Sequence, residues 1–189
     1  LEVIATNHRK LKIVATTAER ELVRRSMAGD NRAQYGLYRK YVKAMYHTVL
    51  RMVGKAADAE DVTQEVFSKV FANLESFKGN STLGAWIKQI AVNTALNFLR
   101  KEQRIRWVDL ENSPELSVEF VPMPEVDATD LKRIHGAIKV LPEGCRVVFC
   151  LFLLEGYQHQ EIAGILGISE STSKTQYRRA RGLLQEALG

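Results

Sequence analysis

The sequence predicts an all-α protein: two small helical domains joined by an acidic linker. Three observations carry this. Apolar residues recur at the helical period, and neither a long period-2 alternation nor an Asn-Gly or Asp-Gly hairpin signal occurs. Charge is ordered along the chain. Residues 1–106 hold 19 basic and 10 acidic residues, 107–130 hold seven acids and no Lys or Arg, and 131–189 hold 8 basic and 5 acidic residues. The net +5 is therefore +9, −7 and +3 in succession. The acidic stretch also carries Pro114, Pro122 and Pro124, which remove backbone donors and disfavour helix before them. The expected ranges are an N-terminal extension or remnant at 1–18, a first domain at 19–106, a linker at 107–128 and a second domain at 129–189.

A first short helix is expected at about 19–28, stopped by Gly29. Asn31 is placed to cap the second. Its apolar side is Leu37, Tyr38, Tyr41, Met45, Val49 and Met52, and Gly54 ends it. Asp58 is placed to cap a third, whose buried stripe is Val62, Val66, Phe67, Val70, Phe71 and Leu74. The loop Ser76-Phe77-Lys78-Gly79-Asn80-Ser81 leads into a fourth helix, about 82–102, burying Leu83, Ile87, Ile90, Thr94 and Phe98. The linker interleaves its acids with Trp107, Leu110, Leu116, Phe120 and Val121, a composition suited to docking on a basic surface as well as to a plain spacer. Beyond it, helices are expected near 129–140 and 143–155, with Pro142 at the first helical position of the latter, and near 158–166 and 170–187.

Composition excludes several classes. No run of about 18 apolar residues exists, so no membrane-spanning helix is expected, and no signal peptide is visible. Cys145 and Cys150 lie five apart on one predicted helix, about 140° around it, which is poor geometry for a bridge. They read as small core hydrophobes, with a redox or metal role as the alternative. A reducing, cytoplasmic compartment fits. There is no P-loop, dinucleotide fingerprint or HExxH, and His8, His47, His135 and His159 show no metal spacing. No catalytic residue, metal or cofactor is assigned.

Two constellations carry chemistry. In Tyr157 through Ser169 a short amphipathic helix ends at Gly167, whose missing side chain permits a tight turn. Ala163 is small where two helices cross, and Ser169 can cap the second helix. This is the layout of a helix-turn-helix. On the second helix Ser173, Tyr177, Ala180, Leu184 and Ala187 lie within about 40° of one line, a core seam. The opposite side carries Ser171, Lys174, Thr175, Arg178, Arg179 and Arg181, with Thr172 nearby. Such groups reach phosphates and guanine edges, although a solvated basic face has the same composition. On the fourth helix Trp86, Gln89, Asn93, Asn97 and Arg100 share one line, with Lys101 beside them and Phe77 in the loop before. An exposed Trp offers a stacking surface, Asn a base-edge partner, and Arg100 and Lys101 backbone contacts, as single-stranded nucleic acid requires. A Trp buried in an ordinary bundle is the alternative.

These surfaces, in this order, resemble the sigma-70 family of bacterial RNA polymerase subunits, most closely its extracytoplasmic-function (ECF) group, over about residues 19–189. The resemblance rests on Asp58 through Phe67, Phe77 through Trp86, Ile90 through Ala95, Leu141-Pro142-Glu143 and the helix-turn-helix closing in Arg178-Arg179-Ala180-Arg181. It implies a sigma factor that binds core polymerase and promoter DNA and promotes strand opening. By this resemblance Asp58, Asp61, Gln64 and Glu65 face the β′ clamp helices, and the β subunit is a further partner. Phe77, Trp86, Gln89, Asn93, Asn97, Arg100 and Lys101 serve the −10 element, where Asn93 and the 77–86 loop capture a flipped base of the non-template strand. Ser171, Thr172, Lys174, Thr175, Arg178 and Arg179 serve the −35 major groove, and the acidic linker runs towards the RNA exit channel. An anti-sigma protein is an implied partner. The sequence departs from the family at Ser171, where Gly is frequent, and at Ser173, where Val is frequent. A core-seam Ser173 is expected to bond back to a carbonyl one turn earlier.

Three rival readings remain at this level. A stand-alone helix-turn-helix regulator shares the C-terminal features but leaves the Asn93 stripe and the linker without a purpose. A metal-dependent nuclease would have only Asp58, Asp61 and Glu65 as ligands. A pure interaction scaffold does not account for the separated basic faces.

Overall fold

Helical periods in the sequence become helices wherever an apolar stripe finds a partner. The computed structural model describes residues 15–102 and 128–188. Expectations for residues 1–14 and for 107–127 of the acidic linker lie outside them. The described helices are α1 Thr17–Met27, α2 Asn31–Val53, α3 Ala56–Ala72, α4 Leu83–Lys101, α5 Ala128–Val140, α6 Glu143–Phe149, α7 His159–Leu166 and α8 Glu170–Leu188. A single 3₁₀ turn, Leu74–Ser76, follows α3, and a π-helical turn, Cys150–Leu154, follows α6. No strand occurs among the described residues, and none of their helices is long and apolar enough to cross a membrane.

The chain divides into two compact units: residues up to Val49 with Ala59–Thr94, and Leu50–Asp58 with Ala95–Gly189. In the first, α1 opens on a capping box. Thr16 Oγ1 accepts from the Glu19 amide, and Glu19 Oε2 accepts from the Thr16 amide at 3.0 Å. Glu19 is buried and also accepts from the Tyr41 hydroxyl at 2.8 Å, which ties α1 to α2. Burial pushes its carboxyl pKa up, but the Thr16 amide, the Tyr41 hydroxyl and Lys40 together hold it below the usual value. The apolar faces of α2, α3 and α4 close the core through Leu37, Met45, Val62, Val66, Leu83 and Ile87. Gly84 lets α4 approach α2, because a Cβ there would lie 3.1 Å from the Tyr41 ring.

In the second unit α8 packs against α5, α6 and α7. Arg146 is buried there and works as a charged cap. Its guanidinium donates to the Lys139 and Leu141 carbonyls at 3.1 Å each and to the Met52 carbonyl at 3.2 Å. These are helix-end acceptors that burial would otherwise leave unpaired.

Several local expectations change. Asp30, not Asn31, caps α2: its Oδ1 accepts from the Arg32 and Ala33 amides. Asp58 lies inside the first turn of α3, which starts at Ala56. Pro142 is the residue before the first helical position of α6, with extended ψ. The expected helix 143–155 widens to π geometry after Phe149, closed by the Glu155 amide on the Cys150 carbonyl. Tyr38 is exposed and Phe71 half-buried. On α4 Ile90 and Phe98 are half-buried, and Ala91, Val92, Ala95, Leu96 and Leu99 fill the core instead. The core stripe is thus turned and broader than a four-residue spacing suggests. Cys145 and Cys150 are both free and buried, and burial pushes the Cys150 thiol up to about 12.

Candidate nucleic-acid interface

Thr82 starts α4, its Oγ1 accepting from the Ala85 amide at 3.1 Å. From that cap the helix turns a row of amides outward: Gln89, Asn93 and Asn97 are all exposed, followed by exposed Arg100 and Lys101. Trp86 is neither the open platform nor the fully buried ring that the sequence left as alternatives. It is half-buried, its ring 5.5 Å from that of Phe77 at 51°. The loop, turned by Gly79 at φ +72°, thus brings Phe77 back over the start of α4. An aromatic pair followed by exposed amides can hold an unstacked base by its face and its edge. Arg100 donates to Asn97 Oδ1 at 3.2 Å and to the Ile165 carbonyl at 2.6 Å, both within the second unit. These two bonds use two of the five guanidinium N–H donors.

On α3, Asp61, Gln64 and Glu65 are exposed and Asp58 is half-buried. Glu65 pairs with Lys69 one turn on at 2.6 Å. This is a solvated acidic face, and among the described residues no group of three or more His, Cys, Asp or Glu could hold a metal.

The helix-turn-helix has the predicted turn. Gly167 is left-handed at φ +70°, its amide and that of Ile168 both donating to the Ala163 carbonyl. Ser169 Oγ accepts from the Thr172 amide at 3.0 Å and caps α8. Ser171, Lys174 and Arg178 are exposed, while Thr172, Thr175 and Arg179 are half-buried. Lys174 pairs with Glu170 at 2.7 Å. Thr175 donates to the Ser171 carbonyl at 2.9 Å, which leaves its oxygen as an acceptor.

The inner side of α8 differs from the expected seam. Gln176, 1% exposed, replaces Tyr177 as the buried residue, and Ala187 is exposed. Gln176 Oε1 accepts from the Cys145 thiol at 3.0 Å. Ser173 does not bond back along its own helix: its Oγ shares a hydrogen bond with His159 Nδ1 at 2.9 Å. The His159 ring stacks on Phe152 at 4.2 Å. Burial, aided by Lys174 and Arg178, lowers the His159 pKa, while Glu170 pulls the other way. None of these pairings was visible in the sequence, because each joins residues on different helices.

Residues 37–105 match the family model of sigma-70 region 2, and residues 131–184 that of sigma-70 region 4. The RNA polymerase sigma-H factor of Pseudomonas aeruginosa is 31% identical over 185 residues, spanning 90% of this chain and 93% of that protein. The ECF RNA polymerase sigma-E factor of Haemophilus influenzae is 32% identical over 180 residues, 90% of this chain and 95% of that protein. Among solved structures, the sigma factor RpoE of Bartonella quintana, crystallised with the anti-sigma factor NepR, superposes with a TM-score of 0.53 at 26% identity, covering 82% of this chain and 95% of that one. CnrH, solved in complex with the cytosolic domain of CnrY, shares the fold at a TM-score of 0.51 and 24% identity, covering 90% and 97%. Both regions match in the expected order and the likeness runs over nine-tenths of the chain, so the chain belongs to the ECF group of the sigma-70 family of RNA polymerase sigma factors.

Proposed function

We propose that this sigma factor binds core RNA polymerase, reads the −35 duplex with α8, captures the opened −10 strand on α4 and so promotes strand opening. The observation that carries the reading is the α4 surface: an aromatic pair, Phe77 and Trp86, continued by exposed Gln89, Asn93 and Asn97. Its chemistry suits an unstacked base better than a duplex, because it offers ring faces and amides in place of a row of cations. A stand-alone helix-turn-helix regulator has no use for it.

In this reading Asp58, Asp61, Gln64 and Glu65 face the β′ clamp helices, and the acidic linker, 107–128, joins a region 2 domain at 19–106 to a region 4 domain at 129–189. Ser171, Thr172, Lys174, Thr175, Arg178 and Arg179 meet the −35 element, and Arg100 and Lys101 hold the −10 backbone. The polymerase performs nucleotidyl transfer; the chain is an initiation factor and not itself an enzyme. It works in the cytoplasm, and an anti-sigma protein restrains it, a reading supported by the complex of the related RpoE with the anti-sigma factor NepR.

Run-off transcription with core polymerase and a matched promoter tests the reading. Transcript is expected only when this chain and core are both present; absence of core binding and of transcript would overturn it. Asn93→Ala is expected to lower open-complex formation about tenfold while leaving core affinity unchanged.

A further inference from the structure

His159, the first residue of α7, ties the two helices of the helix-turn-helix together. Its Nδ1 shares a hydrogen bond with Ser173 Oγ at 2.9 Å, and Ser173 has no exposure at all. The ring stacks on Phe152 of the π-helical turn at 4.2 Å and meets Tyr177 of α8 edge-on at 5.7 Å. Contacts from α8 and the π-helical turn thus fix the imidazole, and through the imidazole they fix the rotation of α8 about its axis. His159 is half-buried, so water can still bring it a proton.

The charged groups that act on the ring come from α8. Lys174 and Arg178 disfavour imidazolium and Glu170 favours it. The π-helical turn presents the apolar Phe152, and on α7 itself Glu161 is turned to the Gln158 amide at 2.7 Å. Burial and the two cations lower the pKa, so the ring of the free protein is neutral near pH 7. Lys174 and Arg178 also belong to the face that meets the −35 duplex in the proposed function. Phosphates arriving there offset both cations and add negative charge, which removes a reason for the ring to stay neutral. Protonation keeps the Ser173 bond, because imidazolium Nδ1–H donates to Oγ.

We propose that His159 is a positioning residue for α8 that takes up a proton when the −35 duplex binds, so that binding tightens as pH falls. The proposal rests on the reading of α8 as the −35 helix. The sign follows from linkage. A group whose pKa is higher in the complex than in the free protein adds nothing where it is neutral in both. Its gain grows as pH falls through the pKa of the complex towards that of the free protein.

Holoenzyme assembled from core polymerase and this chain is to be titrated with a fluorescent duplex carrying the −35 element of its promoter. Between about pH 8 and about pH 5.5 the wild type is expected to gain about threefold in affinity over His159→Gln. Gln can bond Ser173 but cannot be charged, so this variant should bind like the wild type at the alkaline end. His159→Leu can do neither, and should bind about threefold less tightly than His159→Gln at every pH. Thermal unfolding of each variant confirms that it is folded where binding is read. The heat of binding near pH 6 should depend on the ionisation heat of the buffer in the wild type and not in His159→Gln, which detects the proton directly. If His159→Gln keeps the wild-type pH profile, the proton belongs to another group and the proposal fails, while the α8 reading stands. If His159→Leu binds as tightly as His159→Gln, the positioning role is refuted. If the holoenzyme does not bind the duplex, or binds it equally well with Arg178→Ala, the α8 reading itself falls and takes the proposal with it.

Discussion

α4 and α8 are nineteen-residue helices that each turn a polar face outward, yet they are anchored in different proportions by packing and by hydrogen bonds. The inner side of α4 is mainly apolar: Leu83, Ile87, Ala91, Leu96 and Leu99 are buried, with Thr94, which accepts from Lys69 of α3 at 3.4 Å, the one buried polar residue on it. The inner side of α8 mixes Ala180 and Leu184 with Ser173 and Gln176, both buried and both hydrogen-bonded to another helix. Volume holds the first helix in register and directional bonds help hold the second. Their outer faces differ to match: aromatic rings and amides before α4's last cations, hydroxyls and cations on α8. An unstacked base offers its face and pairing edge; a duplex offers phosphates and groove edges.

The largest expected effect breaks the α4 side of this contrast. Ile87→Ala, at a position with no exposure, should cost about 3 kcal/mol in denaturant unfolding through transfer loss and a cavity. Next comes Arg178→Ala, which should weaken duplex binding by about tenfold and flatten its salt slope by about 0.9, with little change in stability. Ser173→Ala should cost about 1 kcal/mol, a hydrogen-bond loss with almost no cavity, so its ratio to the Ile87 value measures how far the two anchorings differ. A cost near 3 kcal/mol at Ser173 would put the two helices on the same footing. The smallest effect is one of pH. His159 has a lowered folded pKa, so the unfolded chain binds its proton first as pH falls. Its contribution should be complete above about pH 6.5 and decline as pH falls towards the folded value. His159→Gln should remove that slope between pH 7 and pH 5; an unchanged slope would assign it to other groups.

Some of the site was legible in the chain order. Asn93 and Asn97 read as exposed from their spacing alone, and Gly167 with Ser169 marked the turn and the cap. Trp86 stayed open between an exposed platform and a buried ring, and it is half-buried, because helical spacing reports a direction around the axis and not what the preceding loop folds over it. Gln176 was missed for a related reason. A polar residue next to a seam reads as outward unless a partner such as the Cys145 thiol is known to meet it.

By itself the sequence determined the helices, the helix-turn-helix and the order of charge, because these depend on contacts within a few residues: periods, caps and a left-handed glycine. Only the tertiary structure decided that Ser173 answers His159, fourteen residues away, that Phe77 closes on Trp86, and that α1 forms a groove with the loop of Gly79. These pairings join segments brought together by burial, and a one-dimensional pattern carries the tendency to be buried without the identity of the neighbour.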